Sequence, residues 1–260
     1  RRCTGPGPDG ASQPDRRRRQ HPRGPPRGPH PSLVESSFPY ELDCRPGHEL
    51  ETIGPYDFDG RLTTAMTAHP KTCPTTGELH FFGYGVPEPP FLTYHRADAS
   101  GALVVSRPVE VGASTMMHDF HLTAGHVVFM DLPLVYDHGT PGMPYVWDAE
   151  YGARLGVLRR DDPHGDVRWF SIDPCYVFHS LNAYDDGPGR IVLYVCRYPA
   201  PELKSLPTLW RWTIDLVSGK VVEEQVDDQS GEFPRMDDRL AGLDARFGTS
   251  HGAGPRRRTD

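Results

Sequence analysis

Three histidines stand far apart in this chain, His69, His118 and His179, separated by 49 and 61 residues. Each sits in a run that reads as strand: Thr67-Ala68-His69-Pro70-Lys71, Met116-Met117-His118-Asp119-Phe120 and Phe178-His179-Ser180-Leu181-Asn182. Ligands drawn from one helix or one loop lie a few residues apart. Imidazoles spaced this widely share a centre only where a large fold wraps the chain around a point, as a β-propeller does around its axis.

The rest of the sequence favours β structure. Short apolar runs at Leu79–Tyr84, Ala102–Val105, Val127–Met130, Val167–Ile172, Ile191–Arg197 and Leu209–Leu216 read as strands. Turn pairs punctuate them at Asp59-Gly60, Asp186-Gly187 and Ser218-Gly219, with a further turn at Pro163–Asp166. Asp148–Leu158 has weak helical character, but its two glycines make it a loop leading into a strand. The class is therefore all-β, and strand spacing alone leaves sandwich, barrel and propeller open.

Three stretches carry a resemblance that narrows this. Thr67 to Gly85 (TAHPKTCPTTGELHFFGYG), His118 to Asp137 (HDFHLTAGHVVFMDLPLVYD) and Phe178 to Tyr198 (FHSLNAYDDGPGRIVLYVCRY) closely resemble the carotenoid cleavage oxygenases, in the same order and over Ser32 to Gly248. The resemblance implies a seven-bladed β-propeller, here incomplete, with N- and C-terminal blade portions missing. It implies ferrous iron, Fe(2+), held by four histidines from four blades, of which His69, His118 and His179 match the first three. It also implies glutamates that accept the other ring N–H of those histidines. Glu35, in Leu33-Val34-Glu35-Ser36, and Glu232, in Gly231-Glu232-Phe233-Pro234-Arg235, match by local motif. The implied reaction is cleavage of a conjugated C=C bond of a carotenoid, apocarotenoid or stilbene-like substrate by O2, giving two carbonyl products. The family's box around the fourth histidine is not found. His251 has glycines nearby but no recognisable strand before it, and it is left unassigned. The third glutamate is likewise missing, so the chain reads as the middle of such a protein with both ends cut or replaced.

Residues 1–31 hold eight Pro, five Gly and eight Arg, too little apolar surface to offset chain entropy, and are expected to be a disordered tail. Residues 32–248 are expected to be the partial propeller, and 249–260 a second disordered tail. The net charge of −7 divides unevenly: residues 1–30 carry +6 and the remaining 230 carry −13. An acidic body lacks the cationic surface that nucleic acid requires. Five cysteines, none in C-x-x-C spacing, argue against a disulfide framework or zinc knuckle and for reduced thiols in the cytoplasm. The sequence shows neither a membrane-length apolar run nor a secretory leader. Membrane-surface contact and oligomeric state stay open.

Other histidines compete for the ligand role. His118 and His121 would share a face on a helix as an H-x-x-H pair. His118–Pro133, however, reads as strand, turn, strand, where an offset of three sends side chains to opposite faces. His126 follows Gly125 in the expected turn. Both are read as non-ligands. Two further readings stand beside the dioxygenase: a non-catalytic propeller fragment or interaction module without metal, and a zinc hydrolase built on His118 and His121. No G-x-S-x-G, H-E-x-x-H, P-loop or G-x-G-x-x-G motif is found.

Overall fold

The computed structural model describes residues 30–45, 47, 49–199 and 205–252. A three-stranded antiparallel sheet comes first: β1 (His30–Ser32), β2 (Tyr40–Asp43) and β3 (Glu51–Pro55). A four-stranded meander follows: β4 (Lys71–Thr72), β5 (Leu79–Gly83), β6 (Leu92–Ala97) and β7 (Leu103–Val109). The next four-stranded sheet is built from β8 (His121–Leu122), β9 (His126–Asp131), β12 (Ala153–Arg159) and β13 (Arg168–Ile172). Between its second and third strands runs a ribbon of β10 (Leu134–Tyr136) and β11 (Tyr145–Trp147). A five-stranded meander ends the fold: β14 (Cys175–Asp185), β15 (Arg190–Pro199), β16 (Thr208–Asp215), β17 (Val221–Arg235) and β18 (Thr249–Gly252). Among the described residues there is one 3-10 turn, Asp238–Leu240, and no α-helix.

Successive antiparallel meanders stacked face to face are how a propeller is assembled. Burial shows which strands lie between neighbours. Phe81, Phe82 and Gly83 of β5 and Val127–Asp131 of β9 are buried without interruption, as expected of strands covered on both faces. In β7, Leu103 and Val105 are buried whereas Val104 and Ser106 face solvent, the period-two pattern of a half-covered strand. The cores lie between sheets. Phe82, Tyr94, Phe120, Phe129 and Leu158 join the second sheet to the third. Met130, Leu155, Phe170, Tyr176, Leu193 and Trp212 join the third to the last. Each large apolar side chain so buried stabilises the fold by about 1.5–3 kcal/mol.

All six strands expected from apolar runs are present, and Asp148–Leu158 does lead into a strand, β12. Four expectations change. Of the tail expected over residues 1–31, residues 1–29 lie outside the described residues, and His30–Ser32 form β1 against β2. The tail expected over 249–260 begins with β18, which pairs Gly231 with Gly252 and Glu232 with His251, while 253–260 lie outside the described residues. The polar run Thr249-Ser250-His251-Gly252 gives no apolar alternation, but the edge of β17 offers backbone groups that an extended neighbour satisfies. His126 is not in the turn but opens β9. Finally, only His179 lies within a strand. His69 and His118 occupy extended segments that lead into β4 and β8.

Candidate metal centre

Each of the three histidines belongs to the first strand of a sheet or its approach, and the sheets turn those strands toward one another. His69 Nε2 lies 2.9 Å from His118 Nε2, which lies 3.3 Å from His179 Nε2. One nitrogen from each ring falls within 4.8 Å of the others, close enough to contact a single ion. Separations near 3 Å are those of adjacent ligand atoms around an ion with bonds of about 2.1 Å. Three lone pairs converging this tightly repel one another unless a cation stands between them, so the donor set fits a metal that accepts imidazole nitrogen.

The outward nitrogens are anchored by carboxylates. His179 Nδ1 meets Glu232 Oε2 at 2.7 Å. Glu35 Oε1 lies 2.7 Å from His118 Nδ1, in a contact whose angles fall short of a linear hydrogen bond. A carboxylate at Nδ1 keeps the proton there and leaves the Nε2 lone pair facing the centre. Glu35 is itself fixed by the Tyr84 hydroxyl, which donates to Oε2 at 2.5 Å. Burial raises the Tyr84 pKa well above its ordinary range, and the hydrogen bond to Glu35 raises it further, so the hydroxyl stays a donor. Burial pulls His69 down to about 4, with the neighbouring imidazoles and Lys71 acting in the same sense against Asp119, so its ring is neutral at physiological pH.

Asp119 does the knitting. It is buried, takes Lys71 Nζ at 2.7 Å, and accepts from Phe120 N, Ser180 N and Ser180 Oγ at 2.7–2.9 Å. Burial alone would raise its pKa, but Lys71 and His69 together with these donors hold the carboxyl well below its usual range. One carboxylate thus ties together the three segments that present the histidines. Sequence reasoning gave Asp119 only a local turn or ladder role. The pattern that could have revealed more is a polar partner just after each ligand, Lys71, Asp119 and Ser180, on the side turned away from the centre. Thr67 adds a second tie, accepting from His69 N at 3.2 Å and donating to the His118 carbonyl at 3.3 Å.

A cavity of about 670 Å³ opens over the imidazoles, walled by Phe178, Tyr198 and Phe233. The Phe233 ring packs 4.8 Å from that of His179. Other histidines lie elsewhere: His80 contacts the Tyr94 hydroxyl, His95 Thr64 and His126 Asp185, at 2.7–2.8 Å. His121 is buried without joining the cluster. His251, paired across from Glu232, is exposed and also outside it.

Fold and site together define a β-propeller that gathers imidazoles from successive sheets. A family model described as retinal pigment epithelial membrane protein matches residues 30–258. The chain belongs to that family, the carotenoid oxygenases. It is 36% identical to a carotenoid cleavage oxygenase of Mycobacterium tuberculosis, over 83% of this chain and 53% of the relative. It is 31% identical to carotenoid 9,10(9',10')-cleavage dioxygenase 1 of Phaseolus vulgaris, over 83% and 42%. The solved lignostilbene dioxygenase of Pseudomonas brassicacearum superposes with a TM-score of 0.75 at 30% identity, over 87% of this chain and 51% of that one. The chain therefore spans about half the length of the relatives it matches. No helix among the described residues is long and apolar enough to cross a membrane.

Proposed function

We propose that this chain carries the centre of a non-haem Fe(II) dioxygenase, with His69, His118 and His179 as iron ligands and Glu35 and Glu232 as the carboxylates that orient them. The observation that carries the reading is the convergence of three Nε2 atoms, two of them on rings held from behind by glutamate. A ferrous ion bound there supplies the unpaired-electron chemistry that lets triplet dioxygen react with a closed-shell alkene. The net reaction breaks one conjugated C=C and one O–O bond and forms two C=O bonds, placing both oxygen atoms in the products.

The chain's own residues do the rest. Glu35 and Glu232 hold the protons on Nδ1. Phe178, Tyr198 and Phe233 offer flat apolar surface to a polyene or stilbene-like substrate and displace water from the reacting bond. Similarity to carotenoid and lignostilbene cleaving enzymes supports this substrate class. Cytoplasmic residence belongs to the same reading, supported by free thiols at Cys44, Cys73, Cys175 and Cys196.

Anaerobic loading with Fe(II) followed by metal analysis tests the centre, and O2-dependent release of two carbonyl products from a stilbene or apocarotenoid tests the reaction. About one bound iron per chain with oxygen-dependent cleavage is the expected result. The non-catalytic module is the second reading, favoured by the fact that three imidazoles, not four, converge among the described residues. Absence of iron uptake after loading would establish it instead.

A further inference from the structure

A second, smaller cavity of about 110 Å³ lies beside the first, between β8, β14 and the Asp238–Leu240 turn, and shares Lys71 and Ser180 with it. His121 lines this cavity and is 1% exposed, yet neither of its ring nitrogens has a protein partner. Burial drives its pKa to about 3, so the ring is neutral and carries one N–H to donate and one lone pair to fill. The polar side chains nearby are committed elsewhere. Asn182 donates to the Leu243 carbonyl and accepts from Gly242 N. Ser180 Oγ donates to Asp119, and Lys71 pairs with Asp119. A buried donor or acceptor left unmade is costly, and native proteins pair more than nine in ten of them with protein or ordered water.

The cavity supplies what the protein does not. A water needs roughly 10–15 Å³ of such space and two to four polar partners, and both requirements are met here. Lys71 has three N–H donors, and its pair with Asp119 leaves others to be satisfied. We propose that this cavity is a built water site, in which an ordered cluster hydrogen-bonds to both nitrogens of His121 and extends to the ammonium of Lys71. The cluster thereby solvates, from behind, the lysine that holds Asp119 between the three histidine-bearing segments. Nothing in this proposal depends on a metal being bound.

The test is a crystal structure of the full chain with and without xenon pressure. The expected result is water density within hydrogen-bond distance of both His121 nitrogens and no xenon in the cavity. Xenon density there, or a cavity free of ordered water, overturns the proposal. Solution stability gives an independent measurement. His121→Leu, which keeps bulk and removes both nitrogens, is expected to lower the folding equilibrium constant about tenfold in urea titrations, and His121→Gln to restore most of the loss. A leucine variant more stable than the parent would show a dry cavity and a strained ring, and would equally defeat the assignment.

Discussion

Glu232 Oε2 holds two partners at once: the His179 Nδ1 proton at 2.7 Å and the backbone N–H of Phe233 at 2.6 Å. Phe233 adopts φ 52°, the left-handed region that non-glycine residues rarely occupy, where the pairing of β17 with β18 shifts register. The irregular backbone brings the amide to the carboxylate and the phenyl ring over the imidazole. Glu232→Gln keeps the shape but loses the negative charge that favours a proton on Nδ1. Removing an outer partner of a metal-bound histidine typically weakens metal affinity 10–100-fold. The expected outcome is a loss of that size in anaerobic Fe(II) titrations with the thermal midpoint little changed; an unaltered affinity would show that the carboxylate does not orient the ligand.

His118 and His121 are three residues apart and sort differently. His118 sits between the other two imidazoles, whereas His121 is buried away from them. His118→Ala is expected to abolish stoichiometric iron uptake. His121→Ala is expected to leave uptake near its parental level once corrected for folded fraction. Loss of metal in the second variant, measured on folded protein, would revive the zinc reading built on the H-x-x-H spacing.

How much of this was legible beforehand depended on range. The runs at Leu79–Tyr84 and Ile191–Arg197 could be read as strands because apolar content and flanking turns are local properties. His69, His118 and His179 could be singled out through motif resemblance, since the distance between their rings is set by sheet packing that no local window contains. The clamp made by Asp119 was invisible for that reason: its partners Lys71 and Ser180 are 48 and 61 residues away in sequence. β18 escaped because it is held by the edge of β17 rather than by any apolar pattern of its own.

Gly83 marks a close approach between β5 and the segment before His69. A Cβ there would collide with Thr64 Oγ1 and lie 2.5 Å from the Ala65 carbonyl. Thr64 Oγ1 cannot readily yield, since it also bonds His95 Nε2 at 2.8 Å and the Ala65 carbonyl at 2.9 Å. Overpacking of this kind costs about 1–3 kcal/mol. Gly83→Ala should lower the urea midpoint accordingly, with iron affinity falling as well because Thr67 N bonds the adjacent Phe82 carbonyl at 2.8 Å. A neutral effect on both would mean the segment shifts freely.

His80 gives the fold a pH dependence that can be isolated from the metal centre. It is fully buried against Tyr94, and burial, with Arg160 acting in the same sense, depresses its pKa to about 3. An unfolded histidine takes its proton near pH 6.5, whereas the folded one resists until about pH 3. The unfolded state therefore binds more protons across that window. The stability contributed by the neutral ring is complete above pH 6.5 and is lost as pH falls, at up to roughly 1.4 kcal/mol per unit. His95, held near 4 by burial, adds a parallel loss. Comparing parent with His80→Gln removes that common background: unfolding free energies measured between pH 7 and pH 4.5 should fall by roughly 2 kcal/mol less in the variant. Equal slopes would place the ring in contact with water in the folded protein and refute its buried, neutral state.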